Sequence, residues 1–275
     1  MAQLLFPKNV RTRGIRQPIW PKIDVTHPIN RGLVGYWPLD GQGSGLALDF
    51  SGFGNNGTPS NASLRDSHHG GNAFSFDGTS TNVVIPSNAA ITGNNPRTFA
   101  AWTYLTSTST LRAIFSYGGL AVGNGFVVFN NVNGTGDLYF AGNTDDWATS
   151  IGVVALNQWN HIAVTYNGAV VSTAGSILLY YNGVKQSITL QAGSSALNTT
   201  ATVLHIGDDL NNAGRFFPGG IEAVRWYNRV LDPVEIAQLY AEPYAGVFDV
   251  AASLPPSTGI LPSPALPLMG QIWLA

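Results

Sequence analysis

The chain has 275 residues, no cysteine and only 10% charged residues, against 32 glycines, 16 prolines and 11% aromatics. The missing thiols exclude disulfides and thiolate metal sites, and no run approaches the roughly 18 consecutive apolar residues of a membrane-spanning helix. The formal charge of −2 divides unevenly: six basic residues face one acid through residue 31, whereas seven basic residues face fourteen acids in the remainder. An acidic body repels phosphate, which disfavours nucleic acid as a partner.

Residues 1–31 carry prolines at 7, 18, 21 and 28 and no helical periodicity, so they read as an extended basic arm that includes Arg11, Arg13, Arg16 and Trp20. The apolar stretch from Leu4 to Pro7 is too short for a signal peptide. Strands are predicted at 33–37, 73–77, 82–85, 98–104, 112–117, 126–130, 137–141, 159–166, 177–181, 184–190, 202–207 and 221–227, from their branched, aromatic and alternating residues. Asn182-Gly183 supplies the two φ > 0 positions of a type I′ hairpin between ILLYY and VKQSITL. Asp232, Pro233 and Glu235 form a capping box with proline at the first helical position. Ile236, Leu239 and Tyr240 then make one apolar stripe for a short helix. From residue 242 the character changes, with prolines at 243, 255, 256, 262, 264 and 267 and no charged side chain after Asp249. Such a tail cannot form a helix or a central strand. Its apolar residues, Leu268 and Trp273 among them, are expected to lie on a neighbouring subunit or on the protein's own surface. The expected organisation is an arm at 1–31, a β-sandwich at 32–241 and a tail at 242–275.

Five segments resemble, in order, the motifs of LamG-like domains, the concanavalin A-like sandwiches. GLVGYWPLDGQGSGLALDFSGFGNNGT (32–58) resembles the family's opening, and AFSFDG (73–78), FAAWTY (99–104) and WNHIAVTYNG (159–168) follow it. GGIEAVRWYNRVLDPVEIAQLY (219–240) resembles its closing strand and helix. The resemblance implies an all-β fold: a two-sheet antiparallel jelly-roll sandwich with one short C-terminal helix, flanked here by extended arms. The stretch His27–Gly35 is also similar to LamG-like proteins of tailed phages and prophages.

Glycanases share this sandwich, but a retaining glycosidase needs two carboxyls about 5–5.5 Å apart. The chain has three glutamates, Glu222, Glu235 and Glu242, and none falls in a Glu-x-Asp-x-x-Glu pattern. The pairs Asp145-Asp146 and Asp208-Asp209 are adjacent, so on a strand they would point to opposite faces. Without a Gly-x-Ser-x-Gly elbow or a thiol, nucleophilic hydrolysis has no candidate either. No enzymatic activity is expected. His68-His69, in DSHHGGN, is read as part of a solvated loop rather than as a metal site with Asp66.

The resemblance further implies a calcium site at the sandwich rim. Asp49 matches the first acid of the opening loop, Asn55 could add oxygen, and Glu222 stands where the closing strand usually carries an acid, although Ala223 replaces the usual second one. An alternative role for Glu222 is a salt bridge with Arg225 or Arg229. For sugar binding the favoured platform is Trp147, in the polar stretch NTDDWATS beside Asp145 and Asp146. The expected function is a non-enzymatic structural surface protein of a phage virion, on the capsid or the tail or fibre. The basic arm and apolar tail would hold it to other virion subunits as an oligomer or lattice-bound copy, outside the cell after lysis and without membrane insertion. The alternative is an independent lectin-like module that binds glycans.

Overall fold

The computed structural model describes residues 21–249 apart from 42–44, 108–110, 131–135, 151 and 194. Arg11, Arg13, Arg16, Trp20, Leu268 and Trp273 lie outside the described residues. The first strands are β1 (Pro21–Ile23), β2 (Leu33–Trp37), β3 (Thr58–Ser60), β4 (Ser63–Asp66), β5 (Asn72–Asp77) and β6 (Asn82–Ile85). Then come β7 (Arg97–Leu105), β8 (Arg112–Gly118), β9 (Gly125–Asn130), β10 (Leu138–Ala141), β11 (Asp146–Thr149) and β12 (Trp159–Tyr166). The chain continues through β13 (Ile177–Tyr181), β14 (Val184–Lys185), β15 (Ile188–Ala192), β16 (Leu204–Ile206) and β17 (Pro218–Tyr227). Helix α1 (Pro233–Ala241) and β18 (Val247–Asp249) complete it.

Two antiparallel sheets form the sandwich. One has the order β15-β11-β10-β9-β8-β16-β6-β3, and the other β14-β13-β12-β7-β17-β5-β4 with β2 also on β17. Alternation along the central strands explains both packed faces. In β7, Phe99, Ala101 and Leu105 point between the sheets, while Ala100 and Trp102 point outward. The inner layer centres on aromatics: Trp226 lies 5.1 Å from Phe115 and 5.4 Å from Phe126, ring centre to ring centre. Each such ring contributes roughly 1.5–3 kcal/mol through burial.

The expected hairpin forms, with Asn182 at φ 49° and Gly183 at φ 78°. The single strand expected at 184–190 is two strands instead. β14 completes the hairpin with β13, whereas β15 crosses to the other sheet and pairs with β11. The capping box is present as expected: Asp232 Oδ1 accepts from the Val234 and Glu235 N–H groups at 2.8 Å, and Glu235 Oε2 accepts from the Asp232 N–H at 3.0 Å.

The outer face of the second sheet carries a second apolar layer, in which α1 and the segments around residues 29 and 245 pack on Tyr36, Trp102 and Tyr227. A β-bulge in β17 builds this face. Ala223 has φ 51° and the register slips between Glu222 and Arg225, so Glu222, Ala223 and Arg225 all face outward while Ile221, Val224 and Trp226 face inward. Folded structure therefore continues beyond 32–241 at both ends. β1 pairs with β18, Pro21 opposite Asp249. Asn30 Nδ2 donates to the carbonyls of Asp24 (2.9 Å) and Gly246 (2.7 Å). Arg225, fully buried, donates to the carbonyls of Pro243 (3.1 Å) and Ala245 (3.0 Å) and to Asn30 Oδ1 (3.3 Å), and so holds both terminal segments against the sheet.

Candidate functional site

At one end of the sandwich, the opening loop and the segment after β6 enclose a groove of about 500 Å³. Phe53 projects into it from SGFGNN, 66% exposed, and Asn55, Asn88, Thr92, Asn95 and Asn228 supply its polar lining. Two core indoles hold the walls. Trp37 Nε1 donates to the Asn55 carbonyl at 2.9 Å, and Trp226 Nε1 donates to the Ala89 carbonyl at 3.0 Å. Behind the groove the buried Arg97 guanidinium donates to the carbonyls of Ile91, Gly93 and Asn95 at 2.7–2.8 Å, and also to Thr199 Oγ1 and Tyr117 Oη. The loop is thus fixed from beneath by groups that belong to the core.

Asp49 organises the opening loop. Its Oδ1 accepts from the N–H groups of Tyr36 (3.0 Å) and Ser51 (2.9 Å), and its Oδ2 accepts from the Asn55 N–H (2.8 Å) and Ser51 Oγ (2.9 Å). Asn55 donates from Nδ2 to the Val34 carbonyl and accepts at Oδ1 from Asn88 Nδ2. Glu222 is bound elsewhere, its Oε1 lying 2.9 Å from His69 Nδ1. Asp49 spends both oxygens on the opening loop while Glu222 turns to His69 on the outer face of the second sheet, so the two acids are not gathered as a shared calcium site. Among the described residues no group of three or more His, Asp or Glu side chains could hold a metal ion.

Trp147 is not a stacking platform. It lies within β11, opposite Phe140 and Leu190, is 9% exposed and donates from Nε1 to the Val171 carbonyl at 3.0 Å. Asp145 and Asp146 diverge. Asp145 Oδ2 accepts from Ser195 Oγ at 3.0 Å, whereas Asp146 Oδ2 accepts from Tyr139 Oη at 2.9 Å. Burial, opposed by that bond, raises the Asp146 pKa above its ordinary value.

The expected solvated loop holds for His68, which is exposed, but not for His69, which is buried. The loop folds over Trp102, with His68 stacked on the indole (4.6 Å between ring centres) and His69 meeting it edge-on (4.8 Å). Tyr240 of α1 and His161 of β12 complete the cluster, each 5.5 Å from Trp102. Glu222, 1% exposed, pairs with His69 rather than with Arg225 or Arg229; Arg229 binds Glu235 at 2.7 Å. Burial pushes the His161 pKa down to about 3, aided by the nearby His69 and Arg225. His68 is lowered to about 4, first by burial and then by His69, although one side of its ring meets solvent. The gaps bordering this cluster, lined by Trp102, His161, Arg225 and Leu239, are too narrow for water. The Glu222–His69 pair ties the 67–71 loop to the outer face of the second sheet.

The groove residues Phe53, Asn88, Asn95 and Asn228 escape the sequence reading. The available signal was the phenylalanine of Gly-Phe-Gly, which has no strand to join and so no core to enter.

The two packed antiparallel sheets make this a concanavalin A-like sandwich, and sequence comparison agrees. The model of the concanavalin A-like lectin/glucanases superfamily (Laminin_G_3) matches residues 77–237, more than half of the chain, which therefore belongs to that superfamily. No curated protein sequence matches the chain. Among solved structures, domain 4 of AbnA, a GH43 extracellular arabinanase from Geobacillus stearothermophilus, in complex with arabinotriose, superposes with a TM-score of 0.57 at 16% identity. The match covers 76% of this chain and 98% of that domain. The binding domain of Paraclostridial Mosquitocidal Protein 1 gives 0.59 at 14% identity, covering 78% of this chain and 53% of that one. Trypanosoma rangeli sialidase gives 0.54 at 15%, covering 76% and 32%. At such identities the likeness is one of fold. The chain spans nearly all of the arabinanase domain, but about half of the mosquitocidal binding domain and a third of the sialidase.

Proposed function

We propose that this protein is a non-enzymatic glycan-binding surface protein, with the groove at 50–56 and 86–96 as its binding site. One observation carries the reading: an aromatic ring 66% exposed, set among four asparagines and a threonine on loops fixed from the core. Aromatic faces stack on the apolar faces of sugar rings, and carboxamides match sugar hydroxyls as donors and acceptors. No acidic side chain lines the groove, and the buried Glu222 has no access to a substrate, which supports binding without hydrolysis. Phe53→Ala should weaken binding of a neutral oligosaccharide about tenfold, equivalent to about 1.4 kcal/mol, and leave the melting temperature unchanged because the ring covers little core. Calorimetric titration reads the first and a thermal melt the second; unaltered affinity in the variant would remove the groove from the reading.

A second observation favours attachment to a larger assembly. Because β1 pairs with β18, residues 21 and 249 lie side by side, so a basic arm and an uncharged tail start from one place on the surface. That placement supports two-armed anchoring to neighbouring subunits, and the similarity of His27–Gly35 to phage LamG-like proteins supports a virion as the setting. Residues 21–249 alone should behave as a monomer in sedimentation, while the full chain should self-associate or bind particles, the basic arm's share weakening with salt. A full-length chain that stays monomeric and leaves particles unbound counts against anchoring.

A further inference from the structure

We infer, resting on the reading of the groove as a glycan site, that it selects uncharged sugars and rejects uronic, sialic and sulfated ones. The argument is the direction in which its amides point. Asn55 Nδ2 faces the Val34 carbonyl at 3.1 Å, and a carbonyl can only accept, so the Asn55 oxygen must face Asn88. Asn88 answers with its nitrogen, which leaves its own oxygen without a partner among the described residues. Asn95 is fixed the same way, because its Nδ2 meets the Thr92 carbonyl at 2.8 Å. Of the three exposed asparagines in the lining, Asn88 and Asn95 thus leave carbonyl oxygens for the ligand. Such acceptors suit the hydroxyl donors of a neutral sugar and repel a carboxylate or sulfate.

No cation offsets this. The groove lining carries no charged side chain. Arg97 lies beneath it with its donors spent on loop carbonyls, Tyr117 and Thr199, and Arg229, next to the lining residue Asn228, is held in a two-oxygen pair with Glu235. An anion entering the groove would lose hydration without gaining a counter-charge. The acidic balance of the body, fourteen acids against seven bases after residue 31, opposes its approach as well.

The test is titration of the full chain, followed by amide NMR, with arabinotriose, cellotriose and maltotriose on one side and sialyllactose and trigalacturonate on the other. The expected result is that at least one neutral trisaccharide shifts the resonances of 51–56 and 88–95, that Phe53→Ala abolishes those shifts, and that both acidic sugars bind at least about tenfold more weakly. Acidic sugars that shift the same resonances with equal or higher affinity overturn the selectivity while leaving the glycan site in place. If no sugar of either class perturbs these loops, the groove reading itself fails and the selectivity falls with it.

Discussion

Replacing Arg97 with methionine is expected to lower the free energy of unfolding by about 4 kcal/mol and to abolish sugar binding in the groove. The guanidinium is fully buried and bonds to Ile91, Gly93, Asn95, Thr199 and Tyr117. Methionine keeps the apolar stem but removes the guanidinium carbon that lies 5.8 Å from the Phe126 ring centre and 5.6 Å from that of Tyr166, so the loss falls on these rings as well as on the acceptors. The Ile91 carbonyl retains a bond from Tyr117 Oη and the Gly93 carbonyl one from the Thr199 N–H, with the single Thr199 hydroxyl proton available to either, but no other donor to the Asn95 carbonyl is present among the described residues. A buried acceptor left unpaired costs about 1–3 kcal/mol, and bonds from a charged donor are worth about 1.5–3 kcal/mol each. An apolar replacement can be neutral where both members of a polar pair are removed, but these carbonyls belong to the backbone and remain. Urea unfolding should show a lower midpoint with the slope preserved, and the 91–95 wall should lose its fixed position. A variant within about 1 kcal/mol of the parent that still binds sugar would show that the loop is held by Trp226 and the Thr199 contacts alone.

What could be read from the sequence was local. The capping box at Asp232 involves residues three apart, and the hairpin at Asn182-Gly183 depends on backbone preferences of those two residues; both formed as expected. β7, β12 and β17 announced themselves through branched and aromatic residues. The misreadings came from partners far away in the chain. Glu222 meets His69 across 153 positions and Asn30 meets Gly246 across 216, so nothing near either residue discloses its role. Trp147 looked like a loop residue because Asn, Asp and Thr precede it, yet alternation through 146–149 is enough for a strand once β10 and β15 lie on either side. Phe53 had the stronger claim to solvent, with glycines flanking it and no alternating pattern. The bulge at Ala223 was invisible for another reason. A positive φ at alanine is paid for by the contacts of the whole sheet, including the Ala223 N–H bond to the Pro38 carbonyl, and not by any preference of the residue.

Between pH 6.5 and 4, the protein should lose roughly 3 kcal/mol of stability through His161 alone. Its ring is 2% exposed, between Trp102 and Tyr240, with Nδ1 unbonded, and burial holds its pKa at about 3. In the unfolded chain the same imidazole titrates near 6.5. Within that window the unfolded state binds the extra proton, so stability rises with pH at about 1.4 kcal/mol per unit and levels off above 6.5. The groups facing the cluster are Glu222, His69 and Arg225; Arg225 stays positive throughout, and it opposes protonation of His161. His68 has a depressed pKa in the same direction but keeps contact with solvent, so its share is smaller. The attribution to His161 comes from His161→Phe, which preserves an aromatic ring beside Trp102 and removes the titration. Unfolding free energies measured at pH 7, 6, 5 and 4 should fall more steeply for the parent than for the variant, and the difference between the two curves should itself have the slope of one proton. Parallel curves would mean that His161 is hydrated or protonated in the folded protein.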